Sequence, residues 1–283
     1  MSEVLNLTIA IPVKNEERNL LGCLQAIGTD FAKHVIIIDS GSTDNTIEIA
    51  KSQGASVVNF VWDGKFPKKR NWFLRNYELE TKWVLFLDAD EYLTEAFKNE
   101  LRQKIETQNY IGFWLNYTIY FMGKKLKGGY PLNKLALFQV GAGEYEKIDE
   151  DKWSNLDMEI HEHPILNGEI GHIKSKIDHR DFRGVSHYMT KHNEYASWEA
   201  FRFLKTFKKE SETEKLTWKQ KIKYKLMKSS LIGPVYFFGS FFFYGGWKDG
   251  SKGFAFAILK MSYFTQIYCR IIELSDTSAN IEA

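Results

Sequence analysis

Cysteine is almost absent: Cys23 and Cys269 are the only two in 283 residues, far apart and outside any metal-ligand spacing. That excludes a disulfide framework and a cysteine zinc site, and it fits a reducing cytoplasm. Net charge is scarce as well. Thirty-eight Lys and Arg offset 36 Asp and Glu, which leaves +2 and no overall field to select a partner. The opening MSEVLNLTIAIPVKNEE has neither a basic n-region nor a cleavage site, so no signal peptide is expected. No apolar run reaches the roughly 20 residues of a spanning helix. The nearest, LIGPVYFFGSFFFYGGW, is broken at Gly233-Pro234 and Gly245-Gly246. Internal repeats and low-complexity segments are missing too. What is plentiful is aromatic: 15% Phe, Trp and Tyr in a chain that is 44% hydrophobic and 26% charged. Such a chain can bury one good core plus a small second domain or helical tail. Its surplus rings suit a sugar-binding surface or a membrane interface.

The N-terminal region alternates apolar runs with amphipathic stretches, which predicts an α/β fold with a parallel sheet. Leu7–Val13, His34–Asp39, Ser56–Phe60 and Trp83–Leu87 read as strands. Glu16–Ile27 carries Leu20, Leu21, Leu24 and Ile27 at helical spacing, and Asp44–Gln53 reads as a helix capped by Ser42 or Thr43. Lys68–Tyr77 and a Thr94-capped stretch to Glu106 add two more helices. From Tyr110 the pattern changes. GFWLNYTIYF, a Gly123-Lys124 turn and Lys134–Val140 predict antiparallel strands, residues 141–180 read as a polar, histidine-rich loop region, and the chain beyond Gly184 reads as helical.

Acidic residues stand at two predicted strand ends. Asp39 ends one strand, and Asp88 and Asp90 follow WVLFL. In an open α/β sheet that edge is where ligands bind. An Asp-x-Asp turn offers two carboxylates to one hard divalent cation, which favours oxygen ligands and phosphate oxygens; the plainer alternative is that both merely cap the next helix. In IDSGSTDNT, Asp39 can accept from a uracil imide N–H while the small residues allow close backbone approach. The segment Phe66-Pro67-Lys68-Lys69-Arg70-Asn71 starts a helix with basic groups, which suits a diphosphate through charge and helix dipole together; a solvated basic face is the alternative. Glu159-Ile160-His161-Glu162-His163 lacks the His-Glu-x-x-His of a metalloprotease. Its acids instead offer a general base for deprotonating a hydroxyl, with Glu162 first and Glu159 and Asp157 behind it. His179 is the downstream histidine best placed to join Asp90 in a metal shell.

These residues carry a resemblance. LTIAIPVKNEERNL, HVIIIDSGSTDNT, FPKKRNWFLRN and WVLFLDADE resemble the nucleotide-sugar half of family 2 glycosyltransferases, which have the GT-A fold. GKKLKGGYPLNKLALFQ, EIHEH and GWKDGSKGFAFAILKMSYF extend the likeness toward the bacterial lipopolysaccharide-core β-glucosyltransferase group. The resemblance implies a GT-A (Rossmann-like) mixed sheet flanked by helices over residues 1–184, with a nucleotide-binding half at 1–107 and an acceptor and metal half at 108–184. Residues 185–283 form a helical extension. It also implies that Pro12, Val13 and Glu16 hold the nucleoside, Asp39 the uracil, and Lys69 and Arg70 the diphosphate. Asp88 touches ribose or sugar beside the metal, Asp90 binds Mg²⁺ or Mn²⁺, His179 adds a metal or phosphate contact, and Glu162 is the base. Related enzymes often carry Gln or Arg where Lys68 and Lys69 stand, and many present the base in Glu-Asp rather than His-Glu.

The activity implied is inverting, metal-dependent transfer from a UDP-sugar to a glycan or glycolipid acceptor such as lipopolysaccharide core. A nucleotidyltransferase would prefer a Gly-rich basic loop where this chain has PVKNEERN, and a non-catalytic binder is the third reading. Between Phe201 and Ser230 stand ten Lys or Arg against three Glu, followed by the aromatic run and an amphipathic stretch over Gly253–Leu274. That pattern predicts an interfacial helix on anionic lipid at the inner face of the cytoplasmic membrane. Packing on the catalytic domain or in a homo-oligomer is the alternative. No nucleic-acid motif accompanies the basic run.

Overall fold

A computed structural model of the protein describes residues 3–107, 109–147, 156–157, 159, 163–181, 183–208 and 218–281. The chain divides into two compact units, Met1–Tyr120 with Leu132–Phe182, and Phe121–Pro131 with Arg183–Ala283.

The first unit is built on one sheet. Its strands are β1 (Leu5–Val13), β2 (Ala32–Asp39), β3 (Ser56–Asn59), β4 (Trp83–Phe86), β5 (Glu91–Tyr92), β6 (Gly112–Phe121), β8 (Asn133–Gln139) and β11 (Ile170–His179), in the order β3-β2-β1-β4-β8-β6-β11-β5. The first four run parallel, β8 is antiparallel to both neighbours, β11 is parallel to β6, and β5 closes the edge antiparallel to β11. Two short strands, β9 (Gly143–Tyr145) and β10 (Pro164–Leu166), pair separately, and the two-residue β7 (Lys124–Lys125) belongs to the second unit. β1 reads as a nearly unbroken apolar run because both its faces are covered. Leu7, Ile9 and Ile11 pack on one side with Leu20 and Leu24 of α1 (Glu17–Ile27). Ala10, Ile36 and Ile38 pack on the other with Phe73 of α3 (Lys69–Asn76). Each Leu or Ile so buried contributes roughly 1.5–3 kcal/mol.

α4 (Glu95–Thr107) begins where expected: the Thr94 hydroxyl accepts from the Phe97 N–H (3.2 Å) and donates to the Lys176 carbonyl (2.8 Å). Thr94→Ala is expected to cost about 1–2 kcal/mol, measured by urea denaturation. α2 (Thr46–Ser52) departs from the expected cap. Neither Ser42 nor Thr43 caps it; Asn45 stands at the N-cap, and the Asp44 carboxylate accepts from the Thr46 N–H and hydroxyl. Ser42 is drawn away because its hydroxyl donates to Asp39. The larger correction concerns residues 141–180, which hold β9, β10 and the ten-residue β11 rather than loop alone. β11 buries Gly171, Ile173 and Ile177 and turns Lys174 out, and a register shift between His172 and Lys176 breaks its alternation.

The second unit is helical, with α5 (Gly184–Lys208) followed by helices at Trp218–Met227, Ile232–Phe238 and Ser251–Ile281. A π-turn at Gly239–Phe243 and a 3₁₀ turn at Gly246–Asp249 lie between the last two. The amphipathic run does not spread an apolar face on its surroundings as expected. Phe256, Ala257, Tyr263, Phe264, Ile267 and Ile271 are buried, the last four packing with Ala196, Phe203, Tyr224 and Ile232 of the same unit. The segment Phe121–Pro131 is strapped to this unit: the buried Asp249 carboxylate accepts from the Lys127 and Gly128 N–H groups (2.8 and 3.0 Å) and pairs with Lys124. Thus the GKKLKGG and GWKDG motifs exist to hold each other. No helix among the described residues is long and apolar enough to cross a membrane. Of the two cysteines, Cys23 is buried on the inner face of α1 and Cys269 is exposed.

Candidate active site

Parallel pairing of β1 with β2 and β4 brings three strand ends to one edge, with Val13 opposite Asp39. Asp39 builds its own turn. Its carboxylate accepts from the Gly41 N–H (2.9 Å), the Ser42 N–H (3.1 Å) and the Ser42 hydroxyl (2.5 Å), with Gly41 at φ +79°. The Ser42 N–H also reaches the other Asp39 oxygen (3.2 Å), so both oxygens are engaged by the turn. The loop after β1 is laced to this turn. Asn15, left-handed at φ 57°, accepts from the Thr43 N–H (2.8 Å) and donates to Ser42, while the Glu16 N–H donates to the Thr46 hydroxyl (2.8 Å). Asparagine tolerates that backbone conformation better than most residues. Pro12 and Val13 lie directly beneath, paired with Ile38 and Asp39.

The basic helix start turns inward. Lys69 is 2% exposed, and its ammonium lies between Asp157 (3.2 Å) and the Val13 carbonyl (3.3 Å). Burial pulls its pKa below the lysine range, with Asp157 opposing. Arg70 donates to Asp88 (2.9 Å) and to the Glu159 carbonyl. The N–H groups offered by the sequence to a diphosphate are already taken. The Lys69 N–H donates to the Asp157 carbonyl (2.9 Å), and the Arg70 and Asn71 N–H groups donate to the Glu159 carboxylate (3.0 and 3.1 Å). Glu159 therefore answers the positive end of α3 from within the chain. Ser40 donates to Asp157 (2.6 Å) and ties this cluster to the Asp39 turn.

The two aspartates after β4 have separate surroundings. Because β8 runs antiparallel to β4, with Leu85 opposite Leu137, its first residues reach the end of β4 and Lys134 meets Asp88 at 2.5 Å. Asp88 thus carries Arg70 on one oxygen and Lys134 on the other. Lys134 also pairs with Glu91 (2.5 Å), whose other oxygen accepts the Asp88 N–H (3.1 Å). Glu91 is 1% exposed; burial pushes its carboxyl up to about 7, with Lys134 opposing and Asp88 adding to the rise. Asp90 meets a histidine instead. The pairing of β5 with β11 sets Glu91 opposite His179, and His179 Nε2 stands 3.6 Å from the Asp90 carboxylate. Among the described residues no group of three or more His, Cys, Asp or Glu is arranged to hold a metal ion.

The sequence-derived set therefore divides three ways. Asp39, Lys69, Arg70 and Asp88 form one bonded cluster with Pro12, Val13 and Glu16 beside it, Asp90 pairs with His179, and Glu162 lies outside the described residues. The two reserve bases, Asp157 and Glu159, are both engaged with α3. Three members escaped sequence reasoning: Asn15, Glu91 and Lys134. Glu91 adjoins the Asp-x-Asp and Lys134 begins the predicted strand Lys134–Val140, but only the strand pairing joins them.

The family model for glycosyl transferase family 2 matches residues 8–160. The protein belongs to glycosyltransferase family 2. The match runs from within β1 past Asp157 and Glu159, so it contains both acidic turns and the basic helix start. The GT-A arrangement expected from the sequence is the one the sheet adopts, with four parallel strands leading and helices on both faces. Similar proteins span nearly all of this glycosyltransferase. An uncharacterised glycosyltransferase of Rickettsia typhi is 26% identical over 96% of this chain and 89% of its own. The lipopolysaccharide core biosynthesis glycosyltransferase LpsC of Rhizobium meliloti is 25% identical over 92% and 89%. Among solved structures, glucosyl-3-phosphoglycerate synthase of Mycobacterium tuberculosis is similar at 23% identity and a TM-score of 0.31. That likeness covers 41% of this chain and 44% of the mycobacterial one.

Proposed function

We propose that this glycosyltransferase moves a hexose from a UDP-sugar, with inversion and with a divalent cation, to a bacterial surface glycan such as lipopolysaccharide core, at the inner face of the cytoplasmic membrane. One observation carries the reading: the Asp90–His179 pair stands at the same sheet edge as the Asp39 turn, with Lys69, Arg70 and Lys134 alongside. The near full-length likeness to LpsC supports the acceptor class.

A carboxylate with an imidazole is a sparse donor set, and it fits Mg²⁺ or Mn²⁺ that draws its remaining ligands from phosphate oxygens and water. Asp90 and His179 would hold the ion; Asp88, with both oxygens on cations, is assigned to ribose or sugar instead. When bound, the ion supplies Lewis-acid charge at the diphosphate. The chain's own residues do the rest. Pro12, Val13 and Glu16 frame the nucleoside, and Asp39 meets the uracil imide. Lys69 and Arg70, joined by Lys134, place fixed positive charge where the diphosphate leaves. Glu162 takes the proton from the acceptor hydroxyl as its oxygen attacks the anomeric carbon opposite the departing phosphate. The nucleotidyltransferase and binder readings are set aside by family membership.

The test is slow hydrolysis of UDP-sugars by the purified protein with Mn²⁺ or Mg²⁺, together with a thermal-shift comparison across nucleotide sugars. Wild type is expected to hydrolyse a UDP-sugar, and Asp90→Ala to lose at least about 100-fold of that rate while keeping its melting temperature. Stabilisation by a different nucleotide and not by UDP-sugars would refute the uracil role of Asp39.

A further inference from the structure

The outer surface of the second unit is apolar where a helical surface is ordinarily polar. Leu231, Val235, Phe238 and Phe242 recur at spacings of one helical turn and are 62%, 45%, 59% and 56% exposed. Phe243 is 83% exposed, with Trp247 at 55% and Phe254 at 48%. Phe238, Phe242 and Phe254 join through Phe237 and Phe241 into one cluster, and Phe243 and Trp247 follow it along the same turn. Phe238 stacks on Phe242 (5.7 Å), Phe242 meets Phe241 edge-on (5.0 Å), and Phe241 and Phe237 both meet Phe254 (5.5 and 5.6 Å). The patch does not fold in on itself because its backbone is pinned. The Gly245 carbonyl packs against Gly128, and the Gly246 carbonyl against Gly253, so closely that an added Cβ would lie 2.2 and 1.9 Å away.

Along the chain that carries the patch the charge is almost all of one sign. Residues 218–272 contain nine Lys or Arg and a single acid, Asp249. That acid is 3% exposed and paired with Lys124. Lys221, Lys225, Lys228 and Lys248 are exposed. A second copy of the chain would set lysine against lysine across a two-fold axis. An anionic lipid surface answers both features, since it accepts aromatic rings at its boundary and attracts exposed lysines.

The geometry points to a monotopic membrane-docking face: the turn carrying Phe238, Phe242, Phe243 and Trp247, with Phe254, inserts into the boundary of an anionic bilayer, and the surrounding lysines hold the headgroups. This rests on the reading that the enzyme works at a membrane surface. It moves the contact from the amphipathic run Gly253–Leu274, which beyond Phe254 buries Phe256, Ala257, Tyr263, Phe264, Ile267 and Ile271, to the aromatic turn before it.

The test uses the full chain and sedimentation with vesicles of phosphatidylcholine, alone or mixed with phosphatidylglycerol. Wild type is expected to sediment with the mixed vesicles, less so at raised salt, and its Trp emission to shift to the blue. Phe242→Ser/Phe243→Ser is expected to weaken binding at least about tenfold, with an unchanged melting temperature because both rings are mostly exposed. Trp247→Phe is expected to lose much of the blue shift. Three results would overturn the inference: no binding of wild type to either vesicle, equal binding by the double variant, or a wild-type dimer that the double variant converts to monomer. UDP-sugar hydrolysis without lipid is a separate arm. Its absence with vesicle binding intact removes the donor reading and leaves the docking face standing.

Discussion

Lys134→Met is expected to destabilise the protein by about 2–4 kcal/mol, because breaking a buried ion pair strands a charge. The stranded group is Glu91, 1% exposed and held against Lys134 at 2.5 Å. Asp88 retains Arg70, so Glu91 bears most of the loss. Without the ammonium, burial and the neighbouring Asp88 and Asp90 carboxylates act on Glu91 unopposed, and its pKa rises further. The folded-state pKa then lies above the unfolded one, so the variant binds more protons when folded and is expected to recover stability as pH falls. Adding Glu91→Gln is expected to restore much of the stability at neutral pH. Urea denaturation of the single and double variants measures both effects, and a single variant as stable as wild type would contradict the assigned pairing.

Gly253→Ala is expected to be equally severe, about 2–4 kcal/mol, through overpacking rather than charge. An added Cβ would stand 1.9 Å from the Gly246 carbonyl oxygen and 2.9 Å from the Asp249 Cβ. Neither neighbour can swing aside, since the first is backbone and the second belongs to the residue that holds Lys127 and Gly128. Gly239→Ala is the matched control. A Cβ there meets nothing within 4 Å, and its φ of −58° is helical. That variant is expected to be neutral or to gain up to about 1 kcal/mol from helix propensity. Thermal melting separates the two outcomes.

How much of this the sequence disclosed depended on how local each signal was. β1, β2 and β4 are covered on both faces, so they read as continuous apolar runs and their ends located Asp39, Asp88 and Asp90 directly. β11 was hidden because it is half solvated, carries His172, Lys174 and Lys176, and slips register midway. Asp88 and Asp90 look equivalent along the chain. They differ only because Lys134 arrives from β8 and His179 from β11, and no local pattern records those arrivals. The same reason governs FPKKRN. Its charges were legible, but their burial against Asp157 and Glu159, some 88 residues away for the Asn71–Glu159 bond, was not. In the second unit, the amphipathic run expected over Gly253–Leu274 lies inside the helix Ser251–Ile281. What that run could not say was whether the apolar side faced lipid or Tyr224 and Ile232 of the same chain.

The two thiols are chemically unequal. Cys23 is fully buried, and burial together with the nearby carboxylates raises its pKa well above the ordinary value, while Cys269 is exposed. A maleimide reagent needs an accessible thiolate, so the native enzyme accepts one dye at one known place in its helical unit, with no engineered cysteine. Attached there, an environment-sensitive fluorophore would report from the helical unit, and the sheet-bearing unit would carry no dye.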